Sequence, residues 1–90
     1  MAHYGAVTVT STPPGAKVIK PETGEVLGVT PLFIEWVERR GTRKQVAFNL
    51  EKEGYYLKTG AFWVNMDSRS AKKAKKAANL VEIPMQKIGE

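Results

Sequence analysis

Cysteine is absent from the 90 residues, which excludes disulfides, thiolate metal sites, iron–sulfur clusters and thiol nucleophiles together. Histidine occurs once, as His3, and aspartate once, as Asp67. An enzyme needs an acid, base or nucleophile held beside a partner group, and the stock here is thin. His3 lies in a terminal segment expected to fray, so it reads as solvated rather than as a ligand or base. The eight glutamates are scattered, with Glu35 and Glu38 on one expected strand and its end, and Glu51 and Glu53 around a turn. Glu35 and Glu51 are the pair placed to reach a cation across neighbouring strands, but solvated strand faces carry such charges routinely, so no metal or cofactor is expected. Ser11, Ser68 and Ser70 have no base nearby in sequence and no nucleophile-elbow glycine pattern. These absences point away from catalysis.

Long apolar runs are missing too. The longest, Leu32-Phe33-Ile34 and Ala61-Phe62-Trp63-Val64, fall far short of the roughly 20 residues of a membrane-spanning helix. Residues 1–5 show neither the basic region nor the apolar region of a signal peptide. The expectation is a cytoplasmic protein if the chain is complete, and an envelope or extracellular one if a leader has been removed.

What is present is positive charge, and it is concentrated. Fourteen Lys and Arg against nine Asp and Glu give a net charge of +5. Between Ser68 and Ala78 stand Arg69, Lys72, Lys73, Lys75 and Lys76 with no acid among them. The rest of the chain is therefore neutral, and any electrostatic function is sought in that segment. These five residues are the candidate anion-binding group, with nucleic acid or an acidic glycan or lipid as partner. No aromatic residue interleaves with them, so base or sugar recognition by the segment itself is expected to be poor. Ser70 is a helix-cap residue, and Ala and Lys are good helix formers. The stretch nevertheless has no apolar stripe and is shorter than an isolated helix needs, so a frayed turn or mobile loop is expected.

Elsewhere the dominant period is two. Val7 and Val9 alternate with Thr8 and Thr10, Leu32, Ile34 and Trp36 with Phe33, Glu35 and Val37, and Val46, Phe48 and Leu50 with Ala47 and Asn49. Each is the pattern of a half-buried strand. Residues 16–20, 25–29, 59–66 and 80–86 complete six or seven short strands, and Pro84 marks the last as an edge. Residues 38–43 read as a polar connection. Phe62 and Trp63 cannot face the same side of one strand. Phe62 aligns with Val64 and Met66, so Trp63 is the aromatic expected to stay accessible, a candidate contact for a flat ligand. Ninety residues suffice for one core only, so the chain is read as a single domain, with its core over about residues 6–86 and a basic insertion at 68–78.

Three motifs occur in order: Ser11-Thr12-Pro13-Pro14-Gly15-Ala16-Lys17-Val18, then Gly28-Val29-Thr30-Pro31-Leu32, then Lys52-Glu53-Gly54-Tyr55. Pro14-Gly15 suits the centre of a type II turn joining the first two strands. Thr30-Pro31 drives the chain into extended geometry. Gly54 permits a left-handed turn, after which Tyr55 buries its ring and caps a nearby backbone group with its hydroxyl, as a tyrosine corner does. Together the three motifs resemble those of the PEGA domain family, with Pro-Pro-Gly-Ala where the family's name-giving Pro-Glu-Gly-Ala stands. The resemblance runs from about residue 6 to 66, with an extension to 86. The six or seven short strands argue for a small all-β sandwich; the resemblance implies an immunoglobulin-like or prealbumin-like antiparallel one, from which the basic loop or short helix before the last strand is a departure. It also implies a non-catalytic surface or envelope module that contacts protein or polysaccharide, and it brings no shared catalytic or ligand-binding residue. The alternatives are an anion binder acting through the basic segment, and a subunit of a particle or filament associating through an edge strand.

Overall fold

The computed structural model describes residues 2–39 and 43–89, so part of the expected polar connection, residues 40–42, lies outside the described residues. Among the described residues seven strands follow the period-two segments, with one short helix before the last: β1 (His3–Thr12), β2 (Lys17–Ile19), β3 (Val26–Val29), β4 (Leu32–Glu38), β5 (Arg43–Glu51), β6 (Lys58–Asn65), α1 (Ala71–Lys76) and β7 (Asn79–Pro84). They form two sheets, β4-β1-β7 and β3-β2-β5-β6, making the small all-β sandwich that the alternation predicts. The facing sides meet in one core of Val7, Val9, Val18, Phe48, Leu50, Val64, Met66 and Ile83, with Trp36 and Phe62 packed against it. Trp36 stacks on Phe48 at 6.3 Å between ring centroids. The inward residues are those that the alternation selects on each strand.

The two sheets are less regular than the sequence pattern suggests. All pairings in the four-stranded sheet are antiparallel, but β7 runs parallel to β1, from Val7↔Asn79 to Thr12↔Pro84. A parallel pair needs a crossover connection rather than a hairpin. The basic segment supplies the connection between β6, in one sheet, and β7, in the other. β6 and β7 are thus not a hairpin, and Pro84 lies on an edge strand as expected. β1 also starts earlier than the alternation indicates. His3 is already paired with Glu38, and Tyr4 is bridged to Ser68 by N–H···O bonds of 2.9 and 3.2 Å in the two directions, so the segment holding His3 is a strand rather than a frayed end.

The motif glycines take the backbone where the turn chemistry predicts. Gly15 has φ 94° and Gly54 φ 84°, a region that β-branched residues almost never enter. The turn at Gly15 does not close a hairpin but carries the chain from β1 in one sheet to β2 in the other. Gly15→Val and Gly54→Val are each expected to lower stability by more than about 1 kcal/mol, or a fall in Tm of at least about 4 °C at this size. Thermal melts of the two variants check this, and unchanged midpoints in both would remove the turn argument. Around Gly54 the closure differs from the expected tyrosine corner. Tyr55 is half-buried, and its backbone N–H donates to the Lys52 carbonyl at 3.0 Å. Among the described residues its hydroxyl has no partner, so the backbone makes the turn and the phenol does not.

Candidate functional site

The basic segment is a short helix, one of the two forms expected before the last strand, and not the frayed turn or mobile loop that its length favoured. Ser70 caps it, its Oγ accepting from the Lys73 N–H at 3.2 Å. Lys73, Lys75 and Lys76 occupy the last turn, where cations complement the helix dipole. The decisive contribution is tertiary. Ala74 is 2% exposed, and α1 packs on β1 and β4, against the outer side of the three-stranded sheet. An apolar stripe one residue wide is enough for a helix that the fold holds in place, since packing rather than intrinsic propensity stabilises most protein helices.

With Ala74 turned to the sheet, helix geometry distributes the charges. At about 100° per residue, Lys73 and Lys75 flank the buried alanine while Lys72 and Lys76 project from the opposite face. All four are exposed, as is Arg69. Lys72 and Lys76 are an i,i+4 like-charge pair, which costs a helix a few tenths of a kcal/mol and is relieved when an anion binds between them. The Lys75 ammonium lies 5.9 Å from the Phe33 ring centroid, and Phe33 is itself 39% exposed. An aromatic group therefore does border the basic patch, contributed by β4 rather than by the segment's own sequence. A cleft of about 190 Å³ opens beside the helix, lined by Gly5, Ala6, Asp67, Ser68, Ala74 and Asn79 among others.

Trp63 is 55% exposed on β6, while Phe62 is half-buried and Val64 and Met66 are 1% and 0% exposed, the division that the alternation predicts. The structure adds a neighbour that sequence reading missed. Arg43, read there as part of a polar connection, is the first residue of β5, and its guanidinium lies 5.0 Å from the Trp63 ring centroid. The two are diagonal cross-strand neighbours, since Arg43 pairs with Asn65 and Gln45 with Trp63. The remaining expected groups are dispersed. Glu35 lies on β4 in one sheet and Glu51 on β5 in the other, so they are not on neighbouring strands and cannot share a cation as that spacing allowed. Glu38 pairs instead with Lys44, and Lys20 with Glu25 at 3.6 Å. Among the described residues no helix is long and apolar enough to cross a membrane.

The motif residues form a structural cluster of their own. Thr30, 4% exposed, joins the second motif to the first. Its Oγ1 accepts from the N–H groups of Gly15 at 3.1 Å and Ala16 at 3.0 Å, and lies 2.7 Å from Ser11 Oγ. Ser11 Oγ donates its proton to the Pro13 carbonyl at 2.7 Å, so Thr30 is the donor between the two hydroxyls. Backbone bonds from Gly15 N–H to the Thr30 carbonyl and from Thr30 N–H to the Ala16 carbonyl, 3.1 and 2.8 Å, complete the junction. No family model, curated protein or solved structure matches this chain.

Proposed function

We propose that this protein is a non-catalytic binding and structural module of the cell envelope, built on a PEGA-type sandwich and contacting polysaccharide or a neighbouring protein through its exposed faces. The observation that supports the reading is the Thr30 junction. Two of the three motifs behind the PEGA resemblance are bonded to each other through a buried hydroxyl, so they act together in specifying the fold. The Ser11 and Thr30 hydroxyls are both engaged within that unit, a structural rather than a chemical use. Fractionation of cells that naturally make the protein tests the location. Recovery with the envelope or in the medium is the expected result, and recovery in the cytosol alone overturns it.

A second reading, polyanion binding through α1, is favoured by the ordered presentation of its lysines. Contact with duplex DNA through four or five cations releases a comparable number of counterions, giving a log–log salt slope on the order of −3 to −4.5. Replacing Lys72, Lys73, Lys75 and Lys76 together by glutamine is expected to abolish retention on an anionic resin while leaving Tm nearly unchanged, because Ala74 still makes the packing contact. If the quadruple variant keeps the same salt slope, α1 is not the site. If the parent is never retained at low salt, the lysines serve solubility instead.

A further inference from the structure

The outer face of the four-stranded sheet is the opposite side of the molecule from the sheet that α1 covers. Towards its β6 edge it carries cross-strand rows from β5 and β6: Arg43 with Asn65, Gln45 with Trp63, Ala47 with Ala61, and Asn49 with Thr59. These residues point outward because the alternate ones, Val46, Phe48, Leu50 and Val64, are buried in the core. The row beside Trp63 carries only two methyl groups, so no large side chain from it covers the indole. One row further on, the Thr59 hydroxyl donates to Asn49 Oδ1 at 2.8 Å, forming a polar ledge about 13 Å from the tryptophan row. At the other end stands Arg43. Among the described residues no carboxylate is within ion-pair distance of its guanidinium.

The composition of this face selects among occupants. A protein partner requires several apolar anchors in a desolvated centre, whereas Trp63 is the single large apolar side chain in the β5–β6 rows, and the next ones on this face, Ile19 and Val29, stand away from it on β2 and β3. A nucleic-acid strand requires a basic groove that follows its phosphates, whereas Arg43 is the one cation in these rows and Lys17, further across the face, stands opposite Glu51. A saccharide ring presents an apolar C–H face to an indole and a rim of hydroxyls to amide side chains, which matches Trp63 flanked by Gln45 and Asn65. The Arg43 guanidinium, which lies over the Trp63 ring and has no carboxylate partner among the described residues, adds a preference for a carboxylate.

We propose that the outer face of β5 and β6 binds an acidic saccharide, with a uronate ring packed on Trp63, its carboxylate on Arg43, and its hydroxyls on Gln45 and Asn65. This deepens the polysaccharide arm of the envelope-module reading and rests on it. The test is calorimetric titration of the whole protein with a short oligogalacturonate, its methyl-esterified neutral counterpart and a single-stranded oligonucleotide. Parallel titrations use Trp63→Ala, Arg43→Gln and the quadruple lysine-to-glutamine variant of α1. The expected result is saturable binding of the oligogalacturonate, weakened about tenfold or more by Trp63→Ala. Arg43→Gln should abolish the preference over the neutral oligomer, and the α1 variant should bind within about twofold of the parent. Trp63 and Arg43 are both exposed, so their variants should melt like the parent. Absence of saturable binding by the parent overturns the proposal, as does unchanged affinity in Trp63→Ala, loss of binding in the α1 variant, or tighter binding of the oligonucleotide. Envelope localisation without uronate binding sinks this inference alone, whereas a cytosolic location sinks the envelope reading and leaves the binding result standing.

Discussion

Gly5→Ala is expected to destabilise the protein by about 3 kcal/mol, at the upper end of the usual cost of overpacking, and Gly5→Val by more. Gly5 lies on β1 where that strand crosses closest to β6. A methyl group built on its Cα would sit 2.5 Å from the Asn65 carbonyl oxygen, 2.5 Å from Met66 Sδ and 2.9 Å from Val64 Cγ1. The methionine can rotate away, but the backbone oxygen cannot without moving the end of β6. Moving β1 instead disturbs its pairing with β4, where Gly5 opposes Trp36, and the Tyr4–Ser68 bridge next to it. Both escapes open the core around Val64 and Met66, two of its most deeply buried residues. At this size the loss corresponds to a Tm drop of roughly 12–24 °C. Urea denaturation measures it directly, and a midpoint equal to the parent's would show that the two sheets separate at this end without cost. By contrast a methyl at Gly60 would meet the tip of the Ile83 side chain, which has rotamers to retreat into, so Gly60→Ala is the milder control.

The importance of Gly5 could not be read from its neighbours. Close approach of two strands from different sheets leaves no periodic trace in sequence, and Gly5 stands in a stretch whose only local signal is proximity to a terminus. What alternation does encode is which side of each strand faces inward, because a one-residue slip would expose every core group. This is why Val7 and Val9, Leu32 and Ile34, Phe48 and Leu50, and the Phe62–Trp63 division were all legible. Alternation does not encode which strands share a sheet. The Pro14-Gly15 turn looks like a hairpin turn from its dihedral requirements alone, and only the positions of β4 and β5 show that β1 and β2 part company there. The helix is a similar case. Its propensity was visible, but its persistence depends on a sheet surface that receives Ala74.

The candidate binding residues divide along the same line. Arg69, Lys72, Lys73, Lys75 and Lys76 are a composition signal, legible before any fold is known, and Trp63 follows from parity on one strand. Arg43 becomes a partner of Trp63 only through the β5–β6 register, which brings a residue from the start of one strand beside a residue near the end of the next. Phe33 enters the basic patch through the placement of α1 over β4. In each case the sequence carries the chemical group and the non-local pairing carries the site.

Thr30→Val is expected to cost about 2–3 kcal/mol although it preserves the shape of the side chain. The hydroxyl of Thr30 uses its full capacity, accepting from the Gly15 and Ala16 N–H groups and donating to Ser11 Oγ. With valine, Gly15 N–H retains its 3.1 Å bond to the Thr30 carbonyl. Ala16 N–H has no such alternative: the residue is 0% exposed, and water cannot replace the lost acceptor without opening the junction. An orphaned buried donor costs about 1–3 kcal/mol, and loss of the hydrogen bond to Ser11 adds to this. Thr30→Ser keeps the Oγ and should recover most of the stability, losing only the packing of one methyl. Ser11→Ala leaves both N–H bonds of Thr30 in place and should fall between the two. Thermal and urea melts of the three variants give the ordering serine, then Ser11→Ala, then valine, from most to least stable. If Thr30→Val melts with the parent, the hydroxyl does not hold the two motifs together.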